Sequence, residues 1–321
     1  MIKIGSAHID TNIFLAPLSG CSDLAFRLIA REQGAKFCFF EMVDSNALIR
    51  NYEKTLRLLE TTKKDSPIAA QLLGADPDVM CDAAQKLVSI RDVSFLDINS
   101  ACPVRKVVTK GAGASLLEKP DTLCKILKKV SSVLKIPVTV KIRTGYHKND
   151  IKKIINTAEK CQENGASAIF VHGRTRAQGY SGEVDYAAIK KISEAVRVPV
   201  FGTGNIFTPA LAKKMFDETG CDGITVARGA FGNPWIFKGI EDYIKNGRAL
   251  PEPDLSDKKI VLKKHLAYID KYRHSIPSAE IGFMRKVAMW YTKGFPYAAK
   301  IRGEITRIQS YPELIRSIDS L

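Results

Sequence analysis

Over its first 230 residues the chain alternates between two textures, eight times in succession. Short apolar runs occur at Ile13–Ala16, Phe37–Phe40, Ile68–Leu72, Phe95–Ile98, Val138–Ile142, Ala168–Val171, Val198–Phe201 and Gly223–Val226. Runs this short, without polar alternation, suit strands buried on both faces, as in a parallel sheet covered by helices. Between them lie amphipathic stretches of helical length. Ser22 or Asp23 can cap a helix whose apolar face carries Leu24, Ala25, Leu28 and Ile29. Asp76 and Pro77 open a second, and Asp121–Val133, Asp150–Cys161, Asp185–Val196 and Pro209–Phe216 repeat the pattern. Gly34, Gly165 and Gly220 stand where helices end, and Pro67, Pro137 and Pro199 where strands begin. Eight strand–helix units predict an α/β protein, a (β/α)8 TIM barrel. The competing architecture is a doubly wound sheet. It is opposed by the missing G-x-G-x-x-G after the first run and by the number of units.

The texture changes between residues 231 and 255. FGNPWIF leads into a short helix, and the polar, Pro-containing GRALPEPDLSD follows. Lys259–Tyr272, Ala279–Tyr291 and Tyr297–Ile308 then read as helices. In the second of these, Phe283, Val287 and Trp290 share a stripe that is expected to be helix–helix core. The expected organisation is a barrel domain over 1–245 and an all-helical C-terminal domain over 250–321.

Composition narrows the function classes. The 49 Lys and Arg against 34 Asp and Glu give a formal charge of +15, which suits a polyanionic partner. Residues 241–321 carry 15 of those basic side chains and 10 acidic ones, for +5. Seven cysteines are spread from 21 to 221 with no C-x-x-C pair, which opposes a zinc ribbon or an iron–sulfur site and fits a reducing, cytoplasmic setting. Five histidines without an H-x-x-x-H give metal binding little support. The opening MIKIGSAHID lacks the apolar run of a secretory signal, and no stretch of 18 apolar residues predicts a membrane span.

In a barrel, chemistry gathers at the C-terminal ends of the strands. There the sequence puts Ala16 and Pro17, Glu41, Gln71, Asn99 and Cys102, Lys141 and Arg143, His172 with Arg174 and Arg176, Gly202–Asn205, and Ala227–Gly229. The last two loops are suited to a phosphate, because glycines let backbone N–H groups converge on an anion. A plain tight turn is the alternative. Lys141 lies inside VTVKIR, where a buried ammonium is costly unless it meets an anion or a cofactor heteroatom. Cys102 can be a nucleophile, an acid or filler, and His172 a base, a ligand or a structural residue.

Several segments resemble the tRNA-dihydrouridine synthase family, most of all its bacterial B-type branch. They are LAPLSGCSDLAFR, FFEMV, DINSACPVRKVVTKGAGASLLEKP, PVTVKIRTG, VHGRTRAQGYSG and RGAFGNPWIF, in family order from Leu15 to Phe237. The resemblance implies reduction of uridine in tRNA to 5,6-dihydrouridine, with FMN in the barrel mouth and NADPH as reductant. It implies Cys102 as the catalytic acid. Gln71, Lys141 and His172 would contact the flavin, and Ala16 and Pro17 would lie against it. Gly204, Asn205, Ala227 and Arg228 would cradle its phosphate. Asn99, Arg143, Arg174 and Arg176 would be near the substrate. Folded RNA is the implied partner, tRNA or ribosomal RNA, and a monomer is expected. The chain departs from the family pattern at Leu18, Ala101, Thr203, Asn205 and Ala227. Competing readings are a flavin reductase of a small molecule, such as a pyrimidine or enoate, and an RNA-binding protein without catalysis.

Overall fold

The computed structural model describes residues 1–273 and 277–321. An antiparallel hairpin, β1 (Ile2–Ile4) and β2 (Ala7–Ile9), opens the chain. Eight parallel strands then close a barrel in chain order: β3 (Ile13–Leu15), β4 (Phe37–Asp44), β5 (Ile68–Leu73), β6 (Leu96–Asn99), β7 (Val138–Arg143), β8 (Ala166–His172), β9 (Val200–Thr203) and β10 (Gly223–Val226). β10 returns to β3 with Ile224 opposite Ile13 and Val226 opposite Leu15. Each expected strand overlaps one of these.

The outer ring contains α1 (Leu24–Glu32), α2 (Ser45–Ile49), α3 (Glu53–Arg57), α4 (Pro77–Ile90), α5 (Arg105–Val108), α6 (Pro120–Val133), α7 (Ile151–Glu163), α8 (Tyr186–Ala195), α9 (Pro209–Thr219) and α10 (Ile236–Asn246). Local chemistry explains where many of them begin. The side chains of Asp23, Asp76, Asp150, Asp185 and Thr208 accept first-turn N–H groups, and Pro77, Pro120 and Pro209 stand where a helix needs no donor. Between the opposite, N-terminal strand ends, Phe14, Phe37, Phe39, Phe95, Phe170 and Phe201 fill the barrel axis, with Phe14 4.3 Å from Phe37 and Phe170 4.6 Å from Phe201. Ile2, Ile4 and Ile9 of the hairpin join that cluster, and the hairpin turn at Gly5 abuts Pro137 and Ser167. The barrel therefore has a solid floor.

The C-terminal helices are α11 (Leu255–Tyr272), α12 (Pro277–Tyr291), α13 (Ala298–Ile305) and α14 (Tyr311–Asp319). Leu262, Leu266, Met284, Val287, Ala288, Leu314 and Ile318 form their shared core, which includes Ala25 and Ile29 of α1. Phe283 and Val287 are buried in it, as the stripe required. Trp290 lies at its edge, stacked on Phe231 at 4.3 Å. Buried His265 shares a hydrogen bond with the Tyr291 hydroxyl at 3.1 Å. Polar ties to the barrel run from Tyr268 to Glu32 at 2.6 Å and from Arg273 to Asp23 at 2.9 Å. No helix among the described residues is long and apolar enough to cross a membrane.

Sequence reading missed the opening hairpin, α2, α3, α5 and α14, all of them short. It also ran the third tail helix from Tyr297, which instead precedes α13 in a left-handed conformation with φ +53°.

Candidate active site

The C-terminal strand ends surround a cavity of about 660 Å³, within the range of small-molecule sites. Every residue expected to contact cofactor or substrate lines it except Arg174 and Arg176; Glu41 and Gly202, also expected at strand ends, do not.

One wall is a side-chain relay. Buried Asp97 accepts from Thr139 Oγ1 at 2.7 Å and from Gln71 Nε2 at 2.7 Å. Gln71 Oε1 accepts from Asn99 Nδ2 at 2.7 Å. Asn99 Oδ1 in turn accepts the N–H groups of Ala101 at 3.1 Å and Cys102 at 2.9 Å. A carboxylate inside the barrel thus orients, through two amides, the turn that presents Cys102. The Cys102 thiol is half-buried; burial pushes it up, outweighing its hydrogen bond from the Val104 N–H and the nearby Arg143 cation. It is therefore a protonated thiol at neutral pH.

Arg143 ties two loops together. Its Nε donates to Ala101 O at 2.6 Å, and its Nη1 donates to Thr175 O at 2.9 Å and Gly179 O at 2.8 Å. Burial lowers its pKa to about 10, still fully charged at neutral pH. Lys141 stands beside Asp97; burial lowers the ammonium and raises the carboxyl, and their attraction opposes both shifts. His172 is held to about 2 by burial and by Arg143, Lys141, Arg174 and Arg228, so its imidazole is neutral and can donate or accept.

The opposite wall is backbone. Gly204 has φ +138°, and a Cβ there would press on Val184; a Cβ on Gly229 would overlap the Ile206 carbonyl. Gly204 lets the loop after β9 pack on the loop after β8, and Gly229 lets the loops after β9 and β10 pack together. Asn205 is left-handed at φ +51°. Thr225 Oγ1 is buried on this wall without a partner among the described residues. Arg228 stacks on Tyr180 at 4.9 Å and Phe207 at 5.6 Å, and among the described residues it has no carboxylate partner.

Arg174 and Arg176 stand elsewhere. Arg174 is buried in its own loop, where Nε donates to Ser181 O at 2.9 Å and Nη2 to Gly182 O at 2.5 Å. Arg176 lies over Tyr146 at 5.2 Å. Both follow a strand end, but their side chains brace the loop rather than line the cavity. Sequence reading missed Asp97, Cys21, Tyr180 and Phe207. Only Asp97 gave a clear signal, an acid inside a fully buried strand. Cys21 stands six residues beyond the end of β3, and it lines the cavity as Cys102 does.

The sequence model of the Dihydrouridine synthase (Dus) family matches residues 14–319. The chain is 36% identical over 311 residues to tRNA-dihydrouridine synthase B of Pseudomonas aeruginosa, covering 96% of this chain and 92% of that one. It is 37% identical over 307 residues to a probable tRNA-dihydrouridine synthase of Rickettsia bellii, covering 95% and 93%. A probable tRNA-dihydrouridine synthase 1 of Synechocystis is 34% identical over 312 residues, covering 97% and 86%. Among solved structures, histamine dehydrogenase from Rhizobium aligns with TM-score 0.60 at 13% identity, over 83% of this chain and 50% of that one. TcOYE in complex with pHBA aligns with TM-score 0.56 at 11% identity, over 80% and 95%. These two likenesses concern the fold.

Proposed function

The chain belongs to the dihydrouridine synthase family, and from that premise we propose that it reduces uridine in tRNA to 5,6-dihydrouridine, with FMN in the barrel mouth and NADPH as reductant. The observation that carries this reading is the convergence, in one cavity, of a protonated thiol, a neutral imidazole, a buried ammonium and a glycine-lined wall.

The residues suit a planar, phosphate-bearing cofactor. Among the described residues, Thr225 Oγ1 is an unpartnered buried hydroxyl and Arg228 is a cation without a carboxylate. Gly204, Asn205, Ala227 and Arg228 would hold the phosphate, Lys141 and His172 the heteroatoms of the ring or its chain, and Ala16 and Pro17 the flat face. Gln71 has one N–H and one lone pair left for this role, since the relay uses the others. The sequence offers no second phosphate site, which favours FMN over a dinucleotide. When bound, the reduced flavin supplies hydride to the base.

Saturating the 5,6 double bond needs a proton as well. Cys102 supplies it from its thiol, as a general acid held in place by Asn99. Asn99 and Arg143 set the shape of the substrate space through the Cys102 turn and the loop after β8, and Arg174 and Arg176 brace that loop. The target base must leave its stack to reach a cavity of this depth. The helices over 250–321, with the net positive charge of the tail, grip the RNA. A monomer in the cytoplasm completes the reading.

The test starts with the purified protein: released cofactor is identified by mass, and its reduction by NADPH is followed by absorbance. tRNA from cells lacking the gene is then mapped for dihydrouridine. FMN, rapid reduction and loss of dihydrouridine at defined positions are expected. FAD would refute the cofactor assignment, and undiminished dihydrouridine would refute the activity.

A further inference from the structure

The loop after β3 forms one lip of the cavity, with Leu18, Ser19 and Cys21 on its wall. It is a closed turn: Leu18 N donates to Ser22 Oγ at 2.9 Å, and Cys21 N and Ser22 N donate to Leu18 O at 3.0 Å. At its apex, Gly20 is left-handed at φ +67°. The apex is held from two sides. From the barrel, the buried Glu41 carboxylate accepts the Gly20 N–H. From α12, Lys286 Nζ donates to Gly20 O at 2.7 Å and stands 3.3 Å from Cys21 Sγ.

Lys286 is poorly explained by stability alone. Among the described residues it has no carboxylate partner within 4 Å. Its ammonium lies over Phe283 at 5.1 Å and Trp290 at 5.3 Å, which fixes its direction toward the lip. Trp290 stacks on Phe231, itself a cavity residue. Close by, Arg273 binds Asp23, the residue that caps α1 just beyond the loop. The C-terminal helices therefore touch the cavity lip through one cation aimed at the loop apex.

We propose that Lys286 is a positioning residue: it seats the Leu18–Ser22 turn in the form that receives the uracil, and so links RNA held by the C-terminal helices to the shape of the cavity. This rests on the function proposed above. Without the ammonium, the Gly20 carbonyl loses its donor, and Glu41 alone holds the apex. The lip then samples positions in which the base is less well placed against Cys102.

Lys286→Met keeps the packed stem and removes the charge; Lys286→Arg restores a donor. Flavin content serves as the check on folding. The first measurement is alkylation of Cys21 by iodoacetamide against pH, resolved from other thiols by peptide mass. Lys286 lowers the Cys21 thiol that burial raises, so the midpoint should move up in the Met variant and stay near wild type in the Arg variant. The second is anaerobic reoxidation of the NADPH-reduced protein by tRNA. The maximal rate should fall by about 10- to 100-fold in the Met variant, the scale of a displaced reacting group. Half-saturation by tRNA should change little, and Arg should recover most of the rate. An unchanged maximal rate overturns the proposal. So does a loss confined to half-saturation, which would make Lys286 a phosphate contact instead. If wild-type protein is not reoxidised by tRNA, the functional reading fails, while an unmoved Cys21 midpoint would independently refute the contact with the lip.

Discussion

Asp65→Asn tests how the first helix of the barrel is anchored. Asp65 is fully buried between two guanidinium groups: Arg27 Nε at 2.9 Å and Arg31 Nε at 2.9 Å, with Thr61 Oγ1 at 3.3 Å. Arg27 is itself fully buried, and its other donors go to the carbonyls of Ser22 at 2.7 Å and Glu60 at 2.7 Å. The amide keeps the carboxylate's volume, but one oxygen becomes an NH2 group facing a donor, and Arg27 is left as a buried cation without a counter-charge. Two bonds to a charged acceptor, at about 1.5–3 kcal/mol each, bound the loss at roughly 3–6 kcal/mol. Breaking a buried pair from one side costs about 3–5 kcal/mol, so about 4 kcal/mol is expected. Urea unfolding followed by circular dichroism should show a lower midpoint with an unchanged slope. An apolar pair, Arg27→Met with Asp65→Leu, should cost less than the sum of the two single changes by about 1–3 kcal/mol. A loss below about 1 kcal/mol, the level of an exposed pair, or strict additivity of the double variant, would refute the reasoning. Arg27 would then have to be explained by something other than the buried carboxylate.

Cys102→Ala should retain flavin and its reduction by NADPH while dihydrouridine formation falls by about 100-fold or more; full product at the wild-type rate would remove the thiol from the chemistry. His265 is buried and neutral, pushed down to about 3. The unfolded chain protonates near pH 6.5, so this residue's contribution is present above that pH and lost as pH falls, by about 2 kcal/mol between pH 6.5 and 5. His265→Met should flatten the stability–pH slope in that window by one proton, and an unaltered slope would contradict the assignment. Tyr297→Gly should raise stability by roughly 1 kcal/mol in a melting experiment, since a left-handed residue with a Cβ is strained there; a lower midpoint would mean that the exposed ring contributes more than its backbone costs.

The barrel was legible because burial on both faces writes strands as uninterrupted apolar runs, and because aspartates mark so many helix starts. β10 was read to the residue. The pieces that escaped were short and held by tertiary contacts: the hairpin acquires its meaning only when Ile4 meets the phenylalanine floor, and α14 only when Leu314 and Ile318 find α11 and α12. At the site, strand-end position identified the lining residues well, because a barrel converts eight distant segments into one ring. Position says nothing of side-chain direction, however. Arg143 ends β7 and Arg174 follows β8, each in a basic cluster, and both spend hydrogen bonds on loop carbonyls; only the structure shows that one of them also lines the cavity. Nor could spacing show that Asn99, which holds the Cys102 turn directly, is itself held by Gln71 of the neighbouring strand, which donates in turn to Asp97 of Asn99's own strand.

The phenylalanine floor makes the barrel a cup rather than a tube. Phe14, Phe37, Phe39, Phe95, Phe170 and Phe201 stop the axis, and the hairpin seals it from beneath. Electron donor and electron acceptor must therefore come and go through the same rim. On the function proposed above, a nicotinamide and an extruded nucleobase could not lie flat on one face of a cofactor at once, so they would take turns. Between visits a bound cofactor would be shielded from below by these six aromatic rings and from above only by whatever occupies the rim. The order of events is imposed by a layer of carbon that touches neither reactant.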